Sequence, residues 1–130
     1  MKIFGIGNDI INIKRIETSI KKNNSKFINR IFTQSEIKYC HSKKTPVSYF
    51  AKRFAAKEAF SKALGTGIRK GIDFKDIEIK NDSKGKPFII LKGYTRKYLQ
   101  KKTKNKIYKI HLSLSDDAPW AYATVVITHN

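Results

Sequence analysis

One segment constrains this chain more than any other. Tyr49 to Leu64 is Ala-rich and reads as a helix. Alanine has the highest intrinsic helix propensity. Gly65-Thr66-Gly67 follows directly, and a glycine just past the last turn is a common helix stop. Ser48 is the expected cap at the start, after a polar loop from Ser42 to Pro46. Phe50, Phe54, Glu58 and Lys62 are each four residues apart, so they share one slowly drifting stripe. The stripe begins aromatic and ends charged, as on a helix that leaves a core at a cleft. Taken alone, the same spacing also describes two core phenylalanines followed by an exposed Glu–Lys pair, worth a few tenths of a kcal/mol. Arg53 and Lys57 flank the stripe.

Around that helix the first half reads as one strand and two more helices. Lys2 to Gly7 is a short strand that gives way to Asn8-Asp9. Asn12 is a plausible N-cap, and Ile13, Ile16 and Ile20 recur at helical spacing. Asn23-Asn24-Ser25 is expected to break that helix before a short apolar piece, Phe27 to Phe32. Thr33 and Glu36 stand in capping-box spacing, which predicts a helix towards His41. The second half reads differently. Asp76 to Lys80 and Phe88 to Leu91 are strands joined by the turn Asn81 to Gly85, and Tyr94 to Lys102 is a weaker helix. Ile107 to Leu114 and Trp120 to Thr128 are strands with a hairpin-like connection through Ser115 to Pro119. Helices early and strands late predict an α+β domain spanning residues 1–130.

Lys and Arg outnumber Asp and Glu 28 to 10, a net charge of +18 that attracts polyanions of any kind. Only 5 of those cations are Arg, and Ile and Asn are frequent beside Lys, as an AT-rich coding sequence would produce. Lysine is also the weaker choice for forked recognition of phosphates and bases. A small RNA-binding module is therefore the second reading, resting on that charge and on Tyr and Phe scattered among lysines. It lacks any RNP-type, OB-like or zinc-knuckle pattern. The Lys101 to Lys106 run reads as a solvated basic loop. A single cysteine, Cys40, excludes an internal disulfide framework and a Cys-cluster zinc site. No apolar run is long enough to span a membrane or to form a signal-peptide core, so a cytoplasmic protein is expected. Neither a Gly-x-x-x-x-Gly-Lys phosphate loop nor a Gly-x-Gly-x-x-Gly fingerprint occurs.

The chemistry centres on two carboxylates. Asp9 ends the first strand in a Gly-x-Asp context, where it is either a turn residue or a ligand group. Asp9 and Glu58 together are suited to one hard cation, since Mg²⁺ is usually held by one or two carboxylates plus substrate phosphate oxygens. Lys62 and Arg53 would neutralise the rest of a polyphosphate. Near the C-terminus His111, Ser113 and Ser115 alternate onto one strand face, either exposed or lining a cleft.

These residues carry a resemblance. Gly7-Asn8-Asp9-Ile10, Arg53-Phe54-Ala55-Ala56-Lys57-Glu58-Ala59, Gly65-Thr66-Gly67, Gly85-Lys86-Pro87 and His111-Leu112-Ser113-Leu114-Ser115 stand in the order seen in bacterial holo-[acyl-carrier-protein] synthases. These are the short, single-domain 4′-phosphopantetheinyl transferases, and the likeness runs from Ile3 to Ile127. One departure is Asp116, where many members have His. The resemblance implies a mainly antiparallel sheet packed on a long central helix and shorter helices. It implies transfer of 4′-phosphopantetheine from coenzyme A to a serine of an acidic acyl carrier protein, releasing 3′,5′-ADP, in support of fatty acid biosynthesis. It further implies Mg²⁺ on Asp9 and Glu58, with Glu58 and Lys62 catalytic and Lys62 on the pyrophosphate. Arg53, His111 and the rim Gly85-Lys86-Pro87 would hold the nucleotide. A homotrimer with sites between subunits is implied too, with neither nucleic acid nor membrane as partner. Arg15 and Lys22 on the first helix are the expected docking cations for the carrier protein.

Overall fold

Five buried alanines, Ala51, Ala55, Ala56, Ala59 and Ala63, explain why the Ala-rich helix sits at the centre of the molecule. Side chains this small let a helix and a sheet approach closely. The computed structural model describes residues 1–130, Asn24 by its backbone alone. The elements are β1 (Lys2–Asn12), α1 (Ile13–Ile31), α2 (Gln34–His41), α3 (Pro46–Leu64), a 3₁₀ turn (Phe74–Asp76), β2 (Ile77–Asn81), β3 (Pro87–Leu91), α4 (Gly93–Lys102), β4 (Tyr108–Asp117) and β5 (Trp120–His129). A three-stranded antiparallel sheet, in the order β1-β5-β4, lies along α3, and β2 and β3 form a separate hairpin. This is the expected α+β arrangement.

The register explains which residues meet α3. Asp9 pairs with Ala123, Ile11 with Ala121 and Gly7 with Val125, and these share the helix-facing side with Leu112 and Leu114 of β4. Ile6, Ile10, Trp120, Tyr122 and Val126 lie on the opposite face, with His111, Ser113 and Ser115. That face is open, and Ile6 and Ile10 are 60% and 59% exposed.

A buried ion pair fixes how α3 rolls against its other neighbours. The Lys57 ammonium, fully buried, donates to Glu36 Oε1 at 2.8 Å and to the Phe74 and Ile77 carbonyls at 2.8 and 2.7 Å. Glu36 in turn accepts from the Thr33 and Ile79 amides, both at 2.8 Å. The capping-box residue of α2 is thus also the partner of the buried lysine, which ties α2, α3, the 3₁₀ turn and β2 together.

Three sequence expectations are corrected. β1 does not stop at Gly7 but runs to Asn12, because β5 offers pairing partners as far as Trp120, so Asp9 lies inside the strand. α1 is not broken at Asn23-Asn24-Ser25. Ile16, Ile20, Phe27 and Ile31 keep helical spacing through that stretch and pack in or against the core, and this packing overrides weak local propensity. The apolar piece from Phe27 is simply its last turns. α3 starts at Pro46 rather than after Ser48, since proline's fixed φ suits the first helical position. Ser48 Oγ donates to the Thr45 carbonyl at 3.0 Å, and the helix has no side-chain N-cap bond. At the other end Gly65, at φ 90, caps α3 in the left-handed region as expected.

Candidate active site

Asp9 and the end of the α3 stripe converge because of two glycines. A Cβ on Gly7 would fall on the Ala59 carbonyl oxygen and 2.6 Å from the Ala63 nitrogen, and one on Gly5 would strike the Ala63 carbonyl. No other residue lets β1 lie this close to α3. The stripe behaves as its pattern suggests, passing from buried Phe50 through half-buried Phe54 and Glu58 to exposed Lys62. Phe54 stacks on Phe74 with ring centroids 5.6 Å apart. Lys62 does not pair with Glu58 along the helix. Its ammonium donates instead to Asp9 Oδ1 at 3.1 Å and to the Asn8 carbonyl at 3.0 Å.

The cluster sets two carboxylates beside one ammonium. Burial pushes the Glu58 carboxyl above its ordinary value, and the Asp9 charge adds to this while Lys62 opposes it. Two carboxylates therefore repel one another in a half-dry setting, which a divalent cation relieves. Among the described residues no cluster of three or more metal-ligating side chains occurs. Two carboxylates suit a hard cation such as Mg²⁺, which takes its remaining ligands from water and phosphate, better than a structural metal.

The other expected binding residues occupy the opposite flank of α3. A cleft of about 480 Å³ is lined by Arg53, Gly85, Lys86 and Pro87, and by Tyr39, Tyr49, Lys52 and Asn81, which the sequence reading missed. Arg53 is almost completely buried there, and its guanidinium lies 4.2 Å over the Tyr39 ring. Lys52 sits 4.1 Å over the Tyr49 ring and 3.4 Å from Asp116 Oδ1. The departure at Asp116 therefore acquires an ion-pair partner. Asn81 was legible only as a turn residue, and nothing in its spacing links it to Arg53.

His111 belongs to neither cluster. It lies exposed on the open sheet face, where its Nε2 is 3.1 Å from Thr128 Oγ1. Arg15 and Lys22 are exposed on α1, which begins directly after β1, and Arg15 lines a shallow cleft with Asn12, Lys14, Thr18 and Ser19. Within one chain the structure thus brings Asp9, Glu58 and Lys62 together, groups Arg53 with Gly85-Lys86-Pro87, and leaves His111 apart.

A family model described as the 4′-phosphopantetheinyl transferase superfamily matches residues 5–125. The chain belongs to that family. Within it the holo-[acyl-carrier-protein] synthases are its relatives. The one from Zymomonas mobilis subsp. mobilis is 52% identical over 128 residues, covering 96% of each chain. The fold agrees with this transferase assignment. The crystal structure of the Neisseria meningitidis holo-[acyl-carrier-protein] synthase superposes with a TM-score of 0.85 at 40% identity, over 97% of this chain and 98% of that one. The Helicobacter pylori synthase, solved in complex with coenzyme A, gives 0.82 at 40% identity, over 95% and 99%. Among the described residues of this transferase no helix is long and apolar enough to cross a membrane.

Proposed function

We propose that this transferase moves 4′-phosphopantetheine from coenzyme A to a serine hydroxyl of an apo acyl carrier protein, leaving 3′,5′-ADP, and so serves fatty acid biosynthesis in the cytoplasm. Residues 1–130 act as a single domain in this reading. The convergence of Asp9, Glu58 and Lys62 carries it.

Asp9 and Glu58 are the residues that would hold Mg²⁺, and their donor set fits it. When bound, the ion supplies charge neutralisation at the diphosphate oxygens as the leaving group departs. Lys62 is held within reach of the same space, and its ammonium adds a positive charge where negative charge grows on the leaving 3′,5′-ADP. Positioning and neutralisation are what phosphoryl transfer chiefly needs from a protein. The cleft beside Arg53 takes the nucleotide end of coenzyme A, with Gly85-Lys86-Pro87 as its rim.

A homotrimer completes the site. The Asp9 cluster and the Arg53 cleft lie on opposite flanks of α3, and His111 is on the open face with Ile6, Ile10 and Tyr122. Packing that apolar face against a neighbouring subunit would bury it and bring one chain's His111 and cleft towards another chain's metal cluster. Arg15 and Lys22, on the helix that leaves β1 just after Asp9, face outward to dock the acidic carrier protein.

The test is intact-mass measurement of an apo acyl carrier protein incubated with the enzyme, coenzyme A and Mg²⁺. A mass gain of one phosphopantetheine per carrier, with stoichiometric 3′,5′-ADP, is expected. Salt-sensitive RNA binding with no carrier modification would favour the second reading instead.

A further inference from the structure

Arg53 is a buried cation with no carboxylate partner. It is 2% exposed, yet none of the ion pairs among the described residues includes it. Lys57, one turn further along α3, is buried to the same degree and is matched by Glu36. Arg53 instead donates from Nη2 to the neutral Asn81 Oδ1 at 2.7 Å, lies over Tyr39, and leaves its buried Nε without any hydrogen-bond partner. An unpaired buried charge is costly to a fold. A carboxylate stands at the very next position, but Asp82 Oδ1 is taken by the Lys84 and Lys86 amides at 2.8 and 2.9 Å.

Asn81 also has a second bond that a carboxylate could not make. Its Nδ2 donates to the Gly85 carbonyl at 2.9 Å. One side chain therefore aims the guanidinium and pins the turn that forms the rim of the cleft, while adding no negative charge.

We infer that Asn81 is a positioning residue, neutral by requirement, that holds Arg53 against the rim and leaves its charge free for a phosphate group of the nucleotide ligand. The inference rests on the coenzyme A reading above. Asparagine and aspartate have nearly the same shape, and Asn81→Asp and Asn81→Ala both lose the bond to the Gly85 carbonyl, so comparing the two isolates the added charge. The new carboxylate would satisfy Arg53 internally and compete with the incoming phosphate.

The experiment is calorimetric titration of coenzyme A, with Mg²⁺ present, into the wild type, Asn81→Asp and Asn81→Ala, with a thermal melt of each ligand-free protein. Asn81→Asp should bind at least about tenfold more weakly than the wild type, about 1.4 kcal/mol, while melting above Asn81→Ala, since both lose the Gly85 bond and only the aspartate gains an ion pair with Arg53. Asn81→Ala should lose less affinity and melt lower. A merely structural asparagine would make binding and melting fall together. The inference is overturned if Asn81→Asp binds as well as the wild type, if Asn81→Ala binds as weakly as Asn81→Asp, or if Asn81→Asp melts below Asn81→Ala. A wild type that binds coenzyme A normally beside an unimpaired Asn81→Asp sinks this inference alone. A wild type that binds none sinks the parent reading as well.

Discussion

The Lys62 ammonium reaches across 53 residues of chain to sit 3.1 Å from Asp9 Oδ1. A lysine one turn after Glu58 would ordinarily form a weak pair along its own helix. Here the bare glycine backbone of β1 brings a second carboxylate and the Asn8 carbonyl within its reach instead.

Replacing that lysine separates binding from chemistry. Lys62→Ala should lower kcat by about 10²–10³, the usual effect of removing one charge-stabilising donor. Lys62→Arg should recover part of the loss. The measurement is steady-state release of 3′,5′-ADP with saturating coenzyme A and apo carrier protein.

Gly7→Ala tests whether the close contact of β1 and α3 builds the site. Its methyl would meet helix backbone rather than a yielding side chain. Overpacking of this kind costs about 1–3 kcal/mol, so the melting temperature should fall by several degrees. Turnover should fall further than stability alone explains, because Asp9 would be levered away from Glu58.

The pH behaviour follows from Glu58. Its carboxyl is raised by burial and then by the Asp9 charge, so the folded state favours the protonated form. The stability it contributes is present at acid pH and lost as pH rises through its elevated folded value. Without divalent cation, Glu58→Gln should therefore melt higher than the wild type at neutral pH, with the gap closing in acid. Added Mg²⁺ should raise the wild-type melting temperature at neutral pH and leave Glu58→Gln nearly unmoved. Melts across a pH series with and without Mg²⁺ check both signs.

The Lys57–Glu36 pair is structural. Burial pulls the Lys57 ammonium below its usual value, and Glu36 opposes that shift. Lys57→Met leaves the Glu36 carboxylate buried and uncompensated, a loss of about 3–5 kcal/mol. Denaturant titration should show it, and paired replacement of both residues by apolar ones should be milder than the single change.

Much of this was legible because local and tertiary signals agreed. The capping box at Thr33 and Glu36, the glycine stop at Gly65 and the stripe ending in Glu58 and Lys62 each rest on chemistry within a single helix or at its end. The errors arose where distant partners decide. Asn23 to Ser25 looked like a break because their propensity is poor, but Ile16, Ile20, Phe27 and Ile31 hold the helix from outside it. β1 outran its expected end because β5 pairs along its whole length. The link between Arg53 and Asn81 was invisible for the same reason, since neither residue's neighbours hint at the other. That Asp9 and Glu58 could meet was open in the sequence, and the physical reason they approach, glycines that let a strand lie on alanines, emerges only in three dimensions.

The central claim, one divalent ion shared by Asp9 and Glu58, is tested most directly by Mn²⁺ binding followed by electron paramagnetic resonance in the presence of coenzyme A. The account predicts one bound ion per chain in the wild type, with affinity lowered at least about tenfold in both Asp9→Asn and Glu58→Gln. Undiminished Mn²⁺ binding in either folded variant would contradict it.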